Sequence, residues 1–589
     1  MKQIETPYQT IYMSGANELQ VESAVSEIEP GLIHIQVTFQ SEVERHFPQL
    51  ELYWKHPMVD IQSYWQPAAF HNKSLIPDFN HRITSKAAVS APVGCFYNLN
   101  GQNRLTYALS DALNQADFTM GVHEEDAALN CRVRLLTEPT RPRTSYQIVL
   151  RIDTRSIPYY ESIRLVSGWW ERMEGYKPAP VPAAARAPMY STWYSFHQQI
   201  TAQDIEDQCR SARELGIEAV IVDDGWQTSD SNRGYAYCGD WQVCPDRIPD
   251  MRAHVESIHN LGLKYILWYS VPFVGIHSQA WPRFKDKLLS FKENIGAGVL
   301  DLRYTECREY LISIYERAVM EWGLDGFKLD FVDEFYLSAE QEAEPRPGMD
   351  YVSVQESVDR LLTDVMERLR VIKPDIMIEF RQTYIGPLMR KYGNMFRATD
   401  CPNDGLTNRM ETLDIRLLSG NTPVHSDMVM WNPQEPVEAA ALQLVNILFS
   451  VPQFSMRFEA LPELHIEMTR FWLTFWREHR DVLLDGELSP RSPEAMYPLV
   501  QADAEYKRLI AVYADVVVRT GLKVPNKLIL VNGTLQDEIV VSFEEELAER
   551  RVRIFDCCGK IVREETASFA KGVQILKIPG PGVALIEDK

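Results

Sequence analysis

The chain has 589 residues, 45% of them apolar and 24% charged, so it is too long for one hydrophobic core and has the balance of an ordinary globular protein; two or three domains are expected. A formal net charge of -22, with no basic run to overcome it locally, would repel a phosphate backbone and excludes nucleic acid as a partner class. The opening residues lack the apolar stretch of a secretory signal and no later segment is long enough to cross a bilayer, so a cytoplasmic protein without a membrane partner is expected.

Residues 1–185 read as an N-terminal β-sandwich. Ile33, Ile35, Val37 and Phe39 alternate with His34, Gln36 and Thr38 in the period of a half-buried strand, and Tyr146, Ile148, Leu150 and Ile152 repeat the pattern. Residues 177–185, rich in proline and alanine, read as a linker. From residue 186 to 485 the rhythm changes to short apolar strands followed by amphipathic helices, the pattern of a parallel sheet. Eight strands are predicted, at 189–194, 219–223, 264–269, 326–331, 376–380, 394–398, 423–427 and 453–456, the number that closes a (β/α)8 or TIM barrel. Thr201 with Asp204 predicts a helix start, and Gly216 its end. Residues 486–589 return to short strands and read as a small C-terminal antiparallel β domain. The fold class is therefore α/β: a catalytic barrel flanked by two β domains.

The C-terminal ends of barrel strands hold active sites, so polar residues ending apolar strands are the candidates. In the run from Gly326 to Phe331, Lys328 and Asp330 are two apart and share a face; the cation favours an ionised carboxylate, which attack on an anomeric carbon requires, although a Lys–Asp pair at a strand end also serves structure alone. Asp400 ends the sixth strand after Arg397 and is the natural second carboxylate, with Asp404 as fallback; a loop aspartate capping a helix from about Leu406 describes Asp404 better. Asp223 and Asp224, followed by Gly225 in a tight turn, suit a grip on vicinal hydroxyls. Trp193 and Trp268 are candidate pocket walls, with core packing the alternative for each; the 11% aromatic content suits sugar faces and large cores alike. Glu379, Arg381 and Gln382, which follow the fifth strand onto the same face, are candidates to line the subsite around the sugar's second carbon, and Arg397 is a further binding candidate. Nine scattered cysteines suit reduced thiols, and neither Cys238 with Cys244 nor Cys557 with Cys558 has zinc spacing, so no metal and no cofactor are expected.

Taken in order, Tyr190-Ser191-Thr192-Trp193, Asp223-Asp224-Gly225-Trp226, Gly239-Asp240-Trp241, Leu267-Trp268, Asp301-Leu302-Arg303, Lys328-Leu329-Asp330-Phe331 and the loop carrying Asp400 resemble glycoside hydrolase family 36, the α-galactosidase and melibiase group of clan D. The resemblance covers residues 190–400 and implies a metal-free, two-step retaining mechanism. It implies Asp330 as nucleophile, Asp400 as acid/base, Lys328 as a sugar contact, Asp223 and Asp224 as the galactose-binding pair, and Trp193 and Trp268 as glycone-pocket aromatics. The sequence departs from the family where a glutamate-proline pair after Leu267-Trp268 is replaced by Tyr269-Ser270-Val271-Pro272. It departs again where a cysteine and glycine-rich turn after the fifth strand is replaced by Arg381-Gln382-Thr383-Tyr384. Selectivity at the 2-position therefore stays open. Terminal α-galactose on a small oligosaccharide or glycoside is the leading substrate; α-N-acetylgalactosamine, β-L-arabinopyranose, transglycosylation, and a silent sugar-binding protein are the alternatives. A homo-oligomer is compatible with the sequence, which does not decide it.

Overall fold

In the computed structural model of the chain, residues 2–68, 71–79, 82–337 and 345–588 are described. The two alternating runs near the start of the chain pair with each other: Phe39 lies opposite Tyr146, Val37 opposite Ile148, Ile35 opposite Leu150 and Ile33 opposite Ile152. All eight side chains are buried, because a two-residue period sends every one of them to the same face. That face belongs to one of two six-stranded sheets. The sheets close on a shared core, where Tyr107 of one stacks on Phe118 of the other at 5.6 Å.

The proline and alanine-rich stretch is bound rather than loose. Asn394 Nδ2 donates to the Pro180 carbonyl at 3.0 Å, His425 is 2.8 Å from the Ala185 carbonyl, and Ala185 is fully buried against Met189, Ala219, Ile221, Ile266, Met377 and Met395. It seals the floor of the barrel. Composition identified the missing backbone donors, but only packing shows that the apolar side chains have a floor to cover.

The barrel strands are β1 (Met189–Ser191), β2 (Ala219–Val222), β3 (Lys264–Ser270), β4 (Gly326–Asp330), β5 (Met377–Arg381), β6 (Met395–Arg397), β7 (Val424–His425) and β8 (Gln453–Phe454). They run parallel in the order β7-β6-β5-β4-β3-β2-β1-β8. Ser426 N to the Val451 carbonyl, 3.0 Å, and Val451 N to the Val424 carbonyl, 2.8 Å, bring the two ends together. Each strand falls within a residue or two of its predicted place at its start. The predicted helix opens where Thr201 accepts from Asp204 N at 3.1 Å and closes at Gly216 with φ +83°. Trp193 lies beyond β1, in a short helix Trp193–Phe196.

The barrel interior is layered. Its lower layer is apolar, but above it Lys328, Glu379, Arg397, His425 and Gln453 replace the branched aliphatics that usually fill such a core, all of them buried. Five buried polar groups are tolerable only because they pair with one another or with the mouth above. Beyond helix Arg480–Asp485, the strands from Glu487 onward form a seven-stranded and a three-stranded sheet, mainly antiparallel, with parallel pairings between Lys507–Val512 and Lys527–Asn532 and between Val517–Arg519 and Glu538–Phe543.

Candidate active site

Asp330 ends β4 with its carboxylate held from three sides. Phe331 follows it in a left-handed conformation, φ 64°, which turns the Phe331 N–H onto Asp330 Oδ1 at 2.9 Å. The same oxygen accepts from Arg381 Nε at 2.8 Å and from the Tyr384 hydroxyl, while Oδ2 accepts, among the described residues, only from Trp268 Nε1 at 3.1 Å. Burial by itself would raise the pKa of this carboxyl. Arg381 and Lys328 outweigh it, helped by the Tyr384 and Trp268 hydrogen bonds, and hold the group well below the usual carboxylate range.

Asp400 stands three residues past β6, on the same mouth. Its side chain is 46% exposed and Oδ1 accepts from Arg397 Nη2 at 2.8 Å. Burial pushes its pKa up, but Arg397, then Lys328 and Arg381, bring it below its ordinary value. Lys328 and Arg381 each feel both Asp330 and Asp400, so the two carboxylates converge on one cup. Asp404 is not part of that cup: it caps helix Gly405–Ser419, accepting from Thr407 N at 2.9 Å.

Asp223 pairs with Lys328 Nζ at 2.6 Å, and its Oδ1 accepts from Asp224 N at 2.9 Å. Asp224 is gripped by Gln198 and Gln227, each at 2.7 Å, and burial pushes its pKa up to about 6. Gly225 has φ +115°, and a Cβ there would lie 2.6 Å from Gln198 Cα, so the tight turn demands glycine. Trp226 is fully buried against Trp241 and Tyr269 and packs the core. Trp268 is 2% exposed and meets the cup through its indole N–H rather than its face. Trp193 is half-buried, edge-on to His197 at 4.7 Å.

The fifth-strand candidates separate. Arg381 reaches the cup, 20% exposed, with Nη1 on the Gln382 carbonyl at 3.2 Å. Gln382 does not: its amide donates to the Pro67 carbonyl of the N-terminal domain at 3.0 Å and it is 2% exposed, so it tethers two domains. Glu379 does not either. It is fully buried in the barrel, accepting from Gln453 Nε2 and lying 3.7 Å from Arg397 Nε. The two-residue period keeps Glu379 on the inward face but one layer below Arg381. Arg397, also 0% exposed, contacts Asp400, Asp427 and Glu379, so it supports the cup from beneath. Three groups of this site were not singled out from the sequence: Tyr384, Asp427 and Tyr194, whose hydroxyl donates to Asp427 Oδ2 at 2.8 Å. Asp427 lies just past β7, and the strand-end rule could have found it; Tyr384 sits in a turn with no periodicity to mark it.

A parallel barrel that gathers two carboxylates, the cations Lys328 and Arg381 and the edge of Trp268 at its C-terminal mouth has the layout of a (β/α)8 active site. Residues 183–382 match the family model described as Melibiase. The chain is 25% identical over 155 residues to α-galactosidase Mel36A of Lactobacillus acidophilus, covering 25% of this chain and 20% of that protein. It is 24% identical over 211 residues to the A type blood α-D-galactosamine galactosaminidase of Flavonifractor plautii, covering 32% and 19%. The chain thus matches about a fifth of the length of these curated relatives. The fold extends further: a family 36 α-galactosidase, AgaA of Geobacillus stearothermophilus in complex with 1-deoxygalactonojirimycin, superposes with a TM-score of 0.68 at 15% identity over 98% of this chain and 83% of that one. The chain thus resembles the melibiase family over residues 183–382 and shares the fold of a family 36 α-galactosidase.

Proposed function

We propose that the chain is a retaining exo-α-glycosidase, with Asp330 as nucleophile, Asp400 as acid/base and terminal α-galactose as glycone. The observation that carries this reading is the contrast between the two carboxylates: Asp330 is buried and kept anionic by its neighbours, as a nucleophile needs, whereas Asp400 is half open to solvent, where protons come and go. A bound sugar covers the open half of Asp400 and adds desolvation, which raises its pKa toward that of a working acid. In the first step a lone pair of Asp330 bonds to the anomeric carbon as the aglycone oxygen leaves with the bonding pair and takes the Asp400 proton. In the second, water attacks, gives its proton to Asp400, and the electron pair returns to Asp330.

Asp223 and Lys328 supply an acceptor and a donor to sugar hydroxyls at the mouth, and the edge of Trp268 keeps the reacting carboxylate oriented. Family 36 relatives named α-galactosidase, and structures titled as complexes with raffinose and stachyose, support small α-galactosides as substrates. A different glycone is the second reading, because Arg381 puts a guanidinium in the cup where the family has a cysteine and glycine-rich turn. A panel of nitrophenyl glycosides decides between them, and NMR of the first-formed sugar reads the stereochemistry. Retention, together with a fall of several orders of magnitude in turnover for a folded Asp330→Ala, is expected. Inverted product or near-normal activity of that variant would remove Asp330 from the role.

A further inference from the structure

The carboxylate of Asp330 is held asymmetrically. Among the described residues, Oδ1 accepts from the Phe331 N–H, Arg381 Nε and the Tyr384 hydroxyl, three donors for two lone pairs, whereas Oδ2 has the Trp268 indole N–H at 3.1 Å as its one donor. Arg381 and Tyr384 are fixed in turn. The guanidinium lies 5.4 Å from the Phe331 ring centre and 5.2 Å from that of Tyr384, and the Tyr384 hydroxyl also accepts from Phe331 N at 3.1 Å. We infer that Oδ2 of Asp330 is the atom that bonds to the anomeric carbon, and that Arg381 and Tyr384 are positioning residues that speed release of the sugar from Asp330 in the second step.

The inference rests on the retaining reading above and follows from what each step asks of the carboxylate. When Oδ2 attacks, Asp330 gives up an electron pair, and donors on Oδ1 make it a weaker nucleophile. When water later displaces Asp330, the C–Oδ2 bond breaks and the pair returns to a carboxylate whose charge is already met by Arg381 and Tyr384, so departure is eased. The same hydrogen bonds therefore slow the first step and hasten the second. A residue acting only on packing would lower both together. Arg381 stands at the turn where this chain departs from family 36, so the trade is a property of this sequence and not of the fold.

The test compares wild type with Arg381→Gln, Arg381→Lys and Tyr384→Phe on an activated nitrophenyl α-galactoside, using rapid-quench kinetics and intact-protein mass. In Arg381→Gln we expect kcat to fall by about tenfold or more and KM to fall further still, so that kcat/KM rises, because the first step quickens and KM drops when a covalent intermediate accumulates. A burst of one nitrophenolate per enzyme and a sugar adduct on the peptide containing Asp330 should accompany it. Arg381→Lys should recover part of kcat, and Tyr384→Phe, which keeps its ring in place, should move in the same direction. Tyr384→Phe carries the test if Arg381→Gln does not fold. A fall in kcat/KM with KM unchanged or raised, without burst or adduct, would overturn the inference. Failure of the retaining reading shows separately, as inverted product from the wild type.

Discussion

Two aspartates four positions apart divide chemistry from structure. Asp400→Ala should nearly abolish cleavage of natural disaccharides yet spare activated aryl glycosides, because a departing oxygen of low basicity needs no proton. Asp404→Ala should show no such selectivity and cost about 1 kcal/mol of stability, the usual value of a lost helix cap, read by denaturant titration. A neighbouring carboxyl sets a pH dependence. Glu411 is buried; it accepts from Thr399 N at 2.7 Å through Oε2, and burial, aided by Asp427 and Asp414, pushes its pKa up to about 8. A group whose pKa is raised on folding contributes stability fully below its unfolded value, near 4.5, and loses it as pH rises through about 8. Glu411→Gln should therefore gain on wild type as pH climbs from 5 to 9, by a few kcal/mol at the alkaline end, since each pKa unit is worth about 1.4 kcal/mol. Parallel Tm–pH curves would show that Glu411 is already ionised in the fold.

At the scale of the strand, the barrel interior is an ionic assembly whose members sit on β4, β5 and β6 and just past the ends of β6 and β7. Arg397 at the end of β6 is its centre, touching Asp400, Asp427 and Glu379. Removing one partner of a buried pair leaves the others uncompensated, typically at 3–5 kcal/mol. Arg397→Met should destabilise by about that amount, and part of the loss should return at acid pH. The sign follows from Asp427, whose pKa burial already pushes up to about 6, and from Glu379, shifted upward for the same reason: both become neutral more easily once the guanidinium is gone. Thermal denaturation across pH measures it, and a loss that stays constant with pH would mean that the arginine acts by volume alone. The alternation within β4 was legible because Lys328 and Asp330 share a face by a two-residue period. That Glu379 lies a layer below Arg381, and so beneath the cup, was not, because depth depends on the stagger between strands.

Across the whole molecule, Asp414 on helix Gly405–Ser419 joins three regions. Its carboxylate accepts from Trp65 Nε1 at 2.7 Å and from Lys73 Nζ at 2.6 Å, both in the N-terminal domain, and from the Tyr497 hydroxyl among the C-terminal strands. The Lys73 side chain is fully buried there. Asp414→Ala leaves that ammonium without its partner, so a loss of about 3–5 kcal/mol is expected, with earlier proteolysis at the domain junctions than in wild type. An unchanged Tm would mean that water replaces the carboxylate. The same helix is capped by Asp404 and carries Glu411, which links the junction to the Asp400 loop.

The sequence by itself determined the order of domains along the fold, the eight strands, the turn at Gly225, the strand-end aspartates and the helix cap at Asp404. Each is a local matter: period, capping and turn chemistry act over a few residues. Only the tertiary structure decided that Arg381 and Tyr384 share one oxygen of Asp330, that Gln382 faces the N-terminal domain, that the proline-rich stretch seals the barrel floor, and that Arg397 serves three acids. Those facts depend on strand stagger, on the path of loops and on which buried charges find each other, and residues far apart in the chain meet there for reasons no local pattern encodes.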